Sequence, residues 1–310
     1  MIHNMDTKES ILLRLCRGEA GGEKLARELD LTRTAVWKAV CALRADGYDI
    51  RSSRKGYKLY GGDVLSAAGV TARLSTRWTV ETHAELSSTS DRAKALAESG
   101  ADRAAVLAET QTAGRGRLGR SFLSPGGGLY MSALIRPALV AADCGMITAF
   151  AAVAAARAVE RLSGLPVKIK WVNDLYVGDK KICGILTEGG FGMESGELSY
   201  AVVGIGVNLR GSFPGLPRAG SIESAGGNVP SRCELAAAIL DGLSETESGV
   251  RDRGFIGEYR SRSCVVGRRV TVDGAYEAEV AGIADDCSLL LRRDDGSEVR
   301  FSAGEVSLAL

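Results

Sequence analysis

The first 62 residues carry apolar positions at helical spacing. In GGEKLARELDLTRTAVWKAVCALRADG that spacing is interrupted once, around Asp30 to Thr32, which predicts two helices joined by a tight turn. Thr32 can cap the start of the second helix, and Gly47 can end it. The next stretch, Tyr48 to Tyr60, has an Arg-Lys-Gly turn between short β-forming runs and predicts a hairpin. The pattern favours a winged helix-turn-helix over residues 1–62, with a helical dimerisation module as the alternative.

A different pattern begins near residue 84. Apolar runs rich in β-forming residues alternate with helical stretches such as DRAKALAE and ITAFAAVAAARAVERL. This alternation predicts a mixed α/β domain, placed at residues 66–262, that holds the main core. Within it, repeated Gly, Pro and Ser predict a long loop over Gly211 to Pro230.

The last segment, residues 263–310, consists of short runs separated by turns. Asp273-Gly274 and Asp295-Gly296 are typical turn pairs, and the runs around them alternate apolar with polar positions. We expect a small β-barrel here. The predicted fold class is therefore multidomain α+β: a winged helix-turn-helix, a central mixed α/β domain and a C-terminal small β-barrel.

Composition and charge narrow the class of protein. With 45% hydrophobic and 25% charged residues among 310, the chain is typical of a soluble globular protein, which excludes a disordered or fibrous one. The net charge is only +1, but residues 1–60 hold 12 Lys and Arg against 8 Asp and Glu, so we expect a local basic surface there. Seven scattered cysteines without a Cys-x-x-Cys pair indicate a reducing cytoplasm and no structural zinc. No apolar run approaches the length of a membrane span, so no membrane partner is expected.

The stretch Gln111 to Arg120, QTAGRGRLGR, combines glycines with arginines. Its three glycines match the spacing of a dinucleotide-binding loop, but no helix follows directly, so that interpretation fails on context. Glycines permit the backbone to approach a ligand closely, and Arg115 and Arg117 can each donate two hydrogen bonds to the oxygens of a phosphate or a carboxylate. The residues alone leave two interpretations open: an anion-binding loop or a flexible basic surface loop.

Two further segments hold candidate site residues. Lys168 to Glu188 predicts strand, turn and strand, with Asn173 and Asp174 ending the first strand and Lys181 opening the second. Lys181 is placed to aim one ammonium into a pocket, and Asp174 could hold a metal, a donor or that lysine; a hairpin with solvated ends is the alternative. Asn208 interrupts an apolar run, where either a satisfied structural amide or a pocket-lining group is expected.

Five motifs occur in a fixed order along the chain. They are SSTSD at 87–91, QTAGRGRLGR at 111–120, KWVNDL at 170–175, KICGILTE at 181–188 and GIGVNL at 204–209. With a winged helix-turn-helix before them and a small barrel ending in GEVSL after them, they closely resemble the bifunctional biotin protein ligases that also repress the biotin operon. The resemblance covers nearly the whole chain. Two positions depart from it: Ser90 stands where Asn is frequent, and Val172 replaces the usual Pro.

The resemblance implies an enzyme that uses ATP and Mg²⁺ to convert biotin to biotinyl-5'-AMP and then passes biotin to one lysine of a carboxyl carrier domain. The implied biotin site is Ser88, Thr89, Ser90, Gln111, Arg115, Gly116, Arg117, Lys181 and Gly184. The implied ATP and adenylate site is Arg115, Arg117, Arg120, Trp171, Asn173, Asp174 and Asn208, with Asp174 as the candidate Mg²⁺ ligand.

Charge explains which of these residues are expected to be catalytic. A biotin carboxylate that attacks the α-phosphate brings two anions together, so the site must supply fixed positive charge. Lys181, Arg115 and Arg117 are the expected sources of that charge. Two other functions stay open at this point: a ligand-sensing regulator without catalysis, and a ligase for lipoate.

Operator DNA is the second implied partner. Val36, Val40 and Leu43 are expected to face the core, which turns the opposite face of their helix outward. The expected DNA-contacting residues are Thr32, Arg33, Thr34, Trp37 and Lys38 of the helix and Arg54 and Lys55 of the wing. One such domain alone would bind DNA weakly, so we expect a homodimer. It is expected to form when bound adenylate orders the glycine loop, which is the stretch Gln111 to Arg120.

Overall fold

The computed structural model describes residues 6–140, 143–191 and 198–308. The N-terminal unit is three helices followed by a hairpin: α1 (Thr7–Cys16), α2 (Gly22–Glu28), α3 (Arg33–Ala45), β1 (Asp49–Ser53) and β2 (Gly56–Gly61). Thr32 caps α3, since its hydroxyl accepts a hydrogen bond from the amide of Ala35 at 3.1 Å. Val36, Val40 and Leu43 are buried in the core of this unit. The predicted winged helix-turn-helix is confirmed.

The central unit is built on a seven-stranded mixed sheet. Its strands are β3 (Thr79–Leu86), β4 (Ala104–Gln111), β5 (Leu129–Ile135), β6 (Lys168–Lys170), β7 (Asp174–Val177), β8 (Lys180–Phe191) and β9 (Leu198–Val207). Their order in the sheet is β3-β4-β5-β9-β8-β7-β6. The pair β3 and β4 is parallel, whereas the other neighbouring strands are antiparallel. The predicted mixed α/β domain is confirmed.

Helices cover both faces of this sheet. They are α4 (Ala67–Thr71), α5 (Thr89–Glu98), α6 (Cys144–Ser163), α7 (Arg232–Leu243), α8 (Thr246–Asp252) and α9 (Ile256–Arg262). On one face α5 packs through Ala93 and Ala97 against Val106 and Leu134 of the sheet. The main core forms on the other face, beneath α6 and α7, which explains why all seven residues of β5 are buried. Among the described residues, no helix is long and apolar enough to cross a membrane.

The C-terminal unit is a five-stranded antiparallel sheet. Its strands are β10 (Arg269–Val272), β11 (Tyr276–Ile283), β12 (Leu289–Arg292), β13 (Glu298–Phe301) and β14 (Val306–Leu308), in the order β13-β12-β11-β10-β14. Its buried residues, such as Val270 and Leu289, belong to the same hydrophobic cluster as the core of the central unit. The predicted small all-β module is confirmed, and it is packed directly onto the central unit.

Two predicted details of the strands are wrong. Asn173 and Asp174 were expected at the end of one strand, but Asn173 lies in a turn after β6 and Asp174 opens the additional strand β7. The C-terminal unit holds this turn, because the indole N–H of Trp171 donates to the carbonyl of Cys287 at 2.8 Å. Asn208 follows β9 instead of interrupting it, since its amide donates to the carbonyl of Ile182 at 2.8 Å.

A buried arginine joins the segment that follows β2 to the central unit. Arg232, the first residue of α7, donates through Nε to the Asp63 carboxylate at 3.2 Å and through Nη2 to the Asp63 carbonyl at 2.6 Å. Its Nη1 donates to the carboxylate of Glu109 near the end of β4. The Arg232 side chain is only 8% exposed, whereas Asp63 and Glu109 are 30% and 36% exposed, so the buried guanidinium depends on these two carboxylates for its counter-charge.

We predict that Arg232→Ala lowers the free energy of unfolding by about 3 kcal/mol, because it removes a buried side chain together with its charge-assisted hydrogen bonds to Asp63 and Glu109. Urea unfolding followed by circular dichroism measures the change. Arg210→Ala is the matched control: Arg210 pairs with Glu223 at 3.6 Å on an exposed surface, where such a pair is worth roughly 0–1 kcal/mol. Equal unfolding midpoints for the two variants would contradict the role assigned to Arg232.

Candidate functional site

A cavity of about 150 Å³ lies between the sheet, the start of α5, the glycine loop and the C-terminal unit. It is lined by thirteen of the site residues expected from the sequence: Ser88, Thr89, Ser90, Gln111, Arg115, Gly116, Arg117, Arg120, Trp171, Asn173, Asp174, Lys181 and Gly184. These residues come from distant parts of the chain, and the sheet brings them together. We call this space the main cavity.

Glycines in two neighbouring strands make room for the main cavity. Gly184 of β8 lies opposite Gly206 of β9 in the sheet. A Cβ atom at Gly206 would lie 2.4 Å from the ring of Phe122, and one at Gly204 would lie 2.9 Å from the hydroxyl of Ser90. Both distances are too short for real atoms. Side chains at these positions would fill the floor of the cavity, so glycine is required there.

Hydroxyl and amide groups line one end of the main cavity. Ser88 occupies the N-cap position of α5, but its hydroxyl makes no capping hydrogen bond within the described chain. The Gln111 side chain takes that place, because its Oε1 accepts from the amide of Thr89 at 2.9 Å. The Ser88 hydroxyl thus stays available at the cavity wall, where a ligand can use it.

Arginines of the glycine loop surround the main cavity, each held by a partner. Arg115 pairs with Asp91 of α5, with Nη1 to Oδ2 at 2.9 Å. Arg117 donates to Oδ1 of Asn173 at 3.2 Å and to the carbonyl of Gly304 at 2.6 Å. Arg120 forms a bidentate ion pair with Glu305 of the C-terminal unit. Two of the three arginines, Arg117 and Arg120, therefore contact the C-terminal unit.

Two lysines complete the positive wall. The Lys181 ammonium lies 2.7 Å from Oδ1 of Asp174. Lys170 at the end of β6 also lines the cavity, and burial lowers its pKa below the usual value of 10.5, although the carboxylates of Asp174 and Glu305 oppose this shift. The Arg120 hydrogen bonds lower the pKa of Glu305, which therefore stays ionised beside these cations. The result is a concentration of fixed positive charge over the cavity.

Among the residues expected at the biotin and ATP sites, Asn208 is the one that lies elsewhere. It lines a second cavity of about 400 Å³, whose walls include Leu123, Tyr176 and Leu216. The Asn208 side-chain amide donates to the carbonyl of Gly220 at 2.9 Å, while its Oδ1 is buried and makes no hydrogen bond with the residues that the structure describes. Ser121, Phe122 and Lys181 line both cavities, so the two spaces adjoin at Lys181. A planar, largely apolar group with one donor would fit the second cavity.

The magnesium site expected at Asp174 has one carboxylate. Within the described residues, no group of three or more His, Cys, Asp or Glu side chains could hold a metal ion. Mg²⁺ at nucleotide sites typically binds one or two carboxylates and takes its other ligands from phosphates and water. Asp174 fits such a shared site, in which the nucleotide supplies most of the oxygens.

The expected DNA-contacting residues lie on one exposed surface of the N-terminal unit. Thr32, at the N-cap of α3, is exposed, as are Arg33, Thr34, Trp37 and Lys38 on the helix and Arg54 and Lys55 at the tip of the hairpin. Trp37 is 56% exposed, which is unusual for so large an apolar side chain. The arrangement is that of a helix and a wing both presented to solvent.

Sequence reasoning missed several residues of the main cavity. Lys170 is the first residue of the third motif and Glu305 lies in the GEVSL segment, so both belong to segments already singled out, although neither was assigned to the site. Phe122 follows the glycine loop and carried no signal of its own. Its ring reaches the cavity only because Gly184 and Gly206 leave space for it.

Comparisons with known proteins agree with this geometry. Residues 84–208 match the model of the Biotin/lipoate A/B protein ligase family, residues 8–58 match an HTH domain, and residues 265–309 match the Biotin protein ligase C terminal domain. The Bifunctional ligase/repressor BirA of Bacillus subtilis is 32% identical over 91% of this chain and 92% of its own length. The chain belongs to this family of bifunctional ligase/repressors.

Other members and structures extend the family assignment. BirA of Escherichia coli is 29% identical over 96% of this chain and 96% of its own length. The biotin protein ligase of Aquifex aeolicus, solved in complex with biotin and ATP, is 28% identical with a TM-score of 0.62 and covers 74% of this chain and 98% of its own. The family resemblance inferred from the five motifs is confirmed. The peptide bond between Trp171 and Val172, where the family motif usually has Pro, is cis.

Proposed function

We propose that this protein activates biotin with ATP to biotinyl-5'-AMP, transfers biotin to a lysine of a carboxyl carrier domain, and represses transcription by binding operator DNA. The observation that carries the catalytic part is the main cavity, where a hydroxyl-lined end and a wall of lysines and arginines face one space. The proposed domains are 1–62 for DNA binding, 66–262 for catalysis and 263–310 for closing the site. The reducing conditions of the cytoplasm suit its free cysteines.

The two ends of the main cavity match the two ends of biotin. Ser88, Thr89, Ser90 and Gln111 offer hydrogen bonds to a ureido head, and Gly184 leaves room for the rings. Lipoate carries an apolar dithiolane in place of the ureido, so this polar end favours biotin. A regulator without catalysis is disfavoured, because the Lys181 ammonium already lies at the junction of the two cavities.

The first step joins two anions. A carboxylate oxygen of biotin attacks the α-phosphorus of ATP, the bond from that phosphorus to the bridging oxygen breaks, and pyrophosphate leaves. Lys181, Arg115 and Arg117 lower the repulsion between carboxylate and phosphate, and Arg120 and Asn173 contact the phosphates. Asp174 would hold Mg²⁺ together with the phosphates, and the bound ion would supply further positive charge there. Trp171 and Asn208 would contact the nucleotide, with adenine in the second cavity.

The second step forms an amide. The amine of the acceptor lysine attacks the carbonyl of the mixed anhydride, AMP leaves, and a proton passes from the new amide nitrogen to solvent. The anhydride must be shielded from water until the acceptor arrives. Arg115, Gly116 and Arg117 lie over the cavity and would form that cover.

An assay with radiolabelled biotin, ATP and an acceptor domain tests this function, and the same assay with lipoate tests the alternative. Label in the acceptor that depends on both ATP and biotin supports the proposal. Transfer of lipoate but not biotin, or binding of biotin without pyrophosphate release, would overturn it in favour of one of the two alternatives.

We predict that Lys181→Ala folds normally but forms the adenylate at least about 10²-fold more slowly, because the repulsion between carboxylate and phosphate is no longer offset. Pyrophosphate release measures the rate. The control is Lys168→Ala, on the edge strand β6 of the same sheet, whose ammonium contacts the carbonyl of Ser261 outside both cavities. A rate near that of the parent protein for Lys181→Ala would exclude this role.

We predict that the double variant Lys38→Ala, Arg54→Ala loses operator binding and still biotinylates normally, because its charges lie on the exposed surface of the N-terminal unit. Fluorescence anisotropy at several salt concentrations measures binding, and a shallower salt dependence than that of the parent is expected. Arg292→Ala, Arg293→Ala removes the same charge from the C-terminal unit and should bind as the parent does. Parallel loss of both activities in the first variant would contradict separate domains.

We predict that biotinyl-5'-AMP strengthens homodimerisation at least about tenfold, because a loop already ordered by the ligand loses less entropy in a dimer contact. A two-fold dimer also suits paired operator half-sites. Sedimentation equilibrium with and without the adenylate measures the constant, with biotin alone as the control. An unchanged monomer-dimer constant would mean that DNA binding is regulated in another way.

A further inference from the structure

Ser132 is a buried serine in the middle of β5, a strand whose other residues are apolar or aromatic. Its exposed fraction is 0%, and it lies on the face of the sheet that α5 covers. A hydroxyl in such a place requires hydrogen-bond partners. Within the described parts of the chain its hydroxyl has two, both at the start of α5: Thr89 Oγ1 at 2.8 Å and Ser90 Oγ at 3.0 Å.

The direction of these bonds follows from groups further along the same chain of contacts. The Ser124 hydroxyl donates to the carbonyl of Phe122 at 3.1 Å, so it accepts from Nε2 of Gln111 at 2.9 Å. This fixes the orientation of the Gln111 amide. Its Oε1 then accepts twice from Thr89, from the backbone amide at 2.9 Å and from the hydroxyl at 3.1 Å.

A hydroxyl has one proton to donate, so the remaining directions are determined. Thr89 gives its proton to Gln111, and therefore accepts from Ser132. Ser132 gives its proton to Thr89, and therefore accepts from Ser90. The protons run in one direction, from Ser90 through Ser132 and Thr89 to Gln111.

This order decides what the hydroxyl-lined end of the main cavity can offer to a ligand. Gln111 has both lone pairs of Oε1 occupied, so it can serve a ligand only as a donor through its second Nε2 hydrogen. Ser90 has committed its proton to Ser132, so its oxygen can serve a ligand only as an acceptor. A ureido group carries two N–H donors and one carbonyl acceptor, which is the complementary set.

We propose that Ser132 is a positioning residue for the substrate: by accepting the proton of Ser90 and donating to Thr89, it keeps the Ser90 oxygen an acceptor for a ureido N–H. Ser132 lies behind Thr89 and Ser90 and acts only through them. The inference rests on the proposed biotin ligase function and assigns the polarity of its binding site. It also accounts for Ser90 at a position where Asn is frequent, since Ser132 gives the smaller side chain a defined acceptor.

The test is Ser132→Ala, which frees the Ser90 proton and removes the donor to Thr89. We expect the KM for biotin to rise about tenfold, the effect of roughly one net hydrogen bond, while kcat and the KM for ATP stay near the parent values. Ser163→Ala is the control, because Ser163 is likewise a buried serine with a hydrogen-bonded hydroxyl, which donates to the carbonyl of Val159 at 2.7 Å, but it lies at the end of α6. It should lower the melting temperature similarly and leave the KM for biotin unchanged.

A second substrate separates the ureido contact from general disturbance of the cavity. Desthiobiotin keeps the ureido group and lacks the sulfur-containing ring, so Ser132→Ala should raise its KM by the same factor as that for biotin. An unchanged KM for desthiobiotin would place the effect of Ser132 at the ring, and equal rises in the KM values for biotin and ATP would indicate a structural role. Either result overturns the proposal.

Further variants keep the test decisive. A double-mutant cycle of Ser132→Ala with Ser90→Ala should show strong coupling, because the second change removes the proton that Ser132 accepts; additive effects would contradict the chain of bonds. If Ser132→Ala does not fold, Ser132→Cys, with a similar shape and a weaker donor, should give a smaller rise in the same KM. Failure of the parent protein to use biotin as a substrate would refute the proposed function itself. Calorimetry would still test Ser132 in that case, because it compares the biotin affinity of the variant with that of the parent.

Discussion

The structure depends on holding many positive charges close together before any ligand is bound. Lys170, Lys181 and three loop arginines face one cavity, and their mutual repulsion would spread them apart without compensation. Carboxylates from other elements supply that compensation: Asp174 for Lys181, Asp91 for Arg115 and Glu305 for Arg120. When anionic substrates enter, they can replace part of the negative charge that these carboxylates supply. The site is therefore ready to bind anions and is still stable when it is empty.

The C-terminal unit is part of that arrangement. It provides the carboxylate of Glu305 and the carbonyl of Gly304 to the glycine loop, and the carbonyl of Cys287 to Trp171. Its core is continuous with that of the central unit. Because a packed core resists sliding, these three contacts stay in register with the cavity. The small sheet therefore acts as one wall of the site as well as a domain of its own.

The opposite end of the cavity has a different physical basis. There, small residues make the space, and a one-directional series of hydrogen bonds fixes which groups donate and which accept. Charge stabilises a developing bond to phosphate, whereas neutral donors and acceptors distinguish one head group from another. The charged end of the cavity thus serves the reaction, and the hydroxyl-lined end serves recognition of the substrate. Arg232 connects the recognition end to the segment that follows β2, since it binds both Asp63 and Glu109, and Glu109 lies two residues before Gln111 in β4.

Local patterns in the sequence were enough to predict the three units, since helical spacing, strand alternation and turn pairs act over a few residues. Four of the five motifs identified thirteen of the main cavity's residues in advance, because each of these motifs is short and lies where a strand or helix begins or ends. Tertiary structure alone decided the rest. Lys170, Phe122 and Glu305 reach the cavity only through the sheet order and the packing of the C-terminal unit. Asn208 lines the second cavity instead, because β9 ends at Val207 and the backbone amide of Asn208 bonds to the carbonyl of Ile182. Ser132 reads as an ordinary residue of a buried strand, and only the sheet register and the position of α5 bring its hydroxyl beneath Thr89 and Ser90.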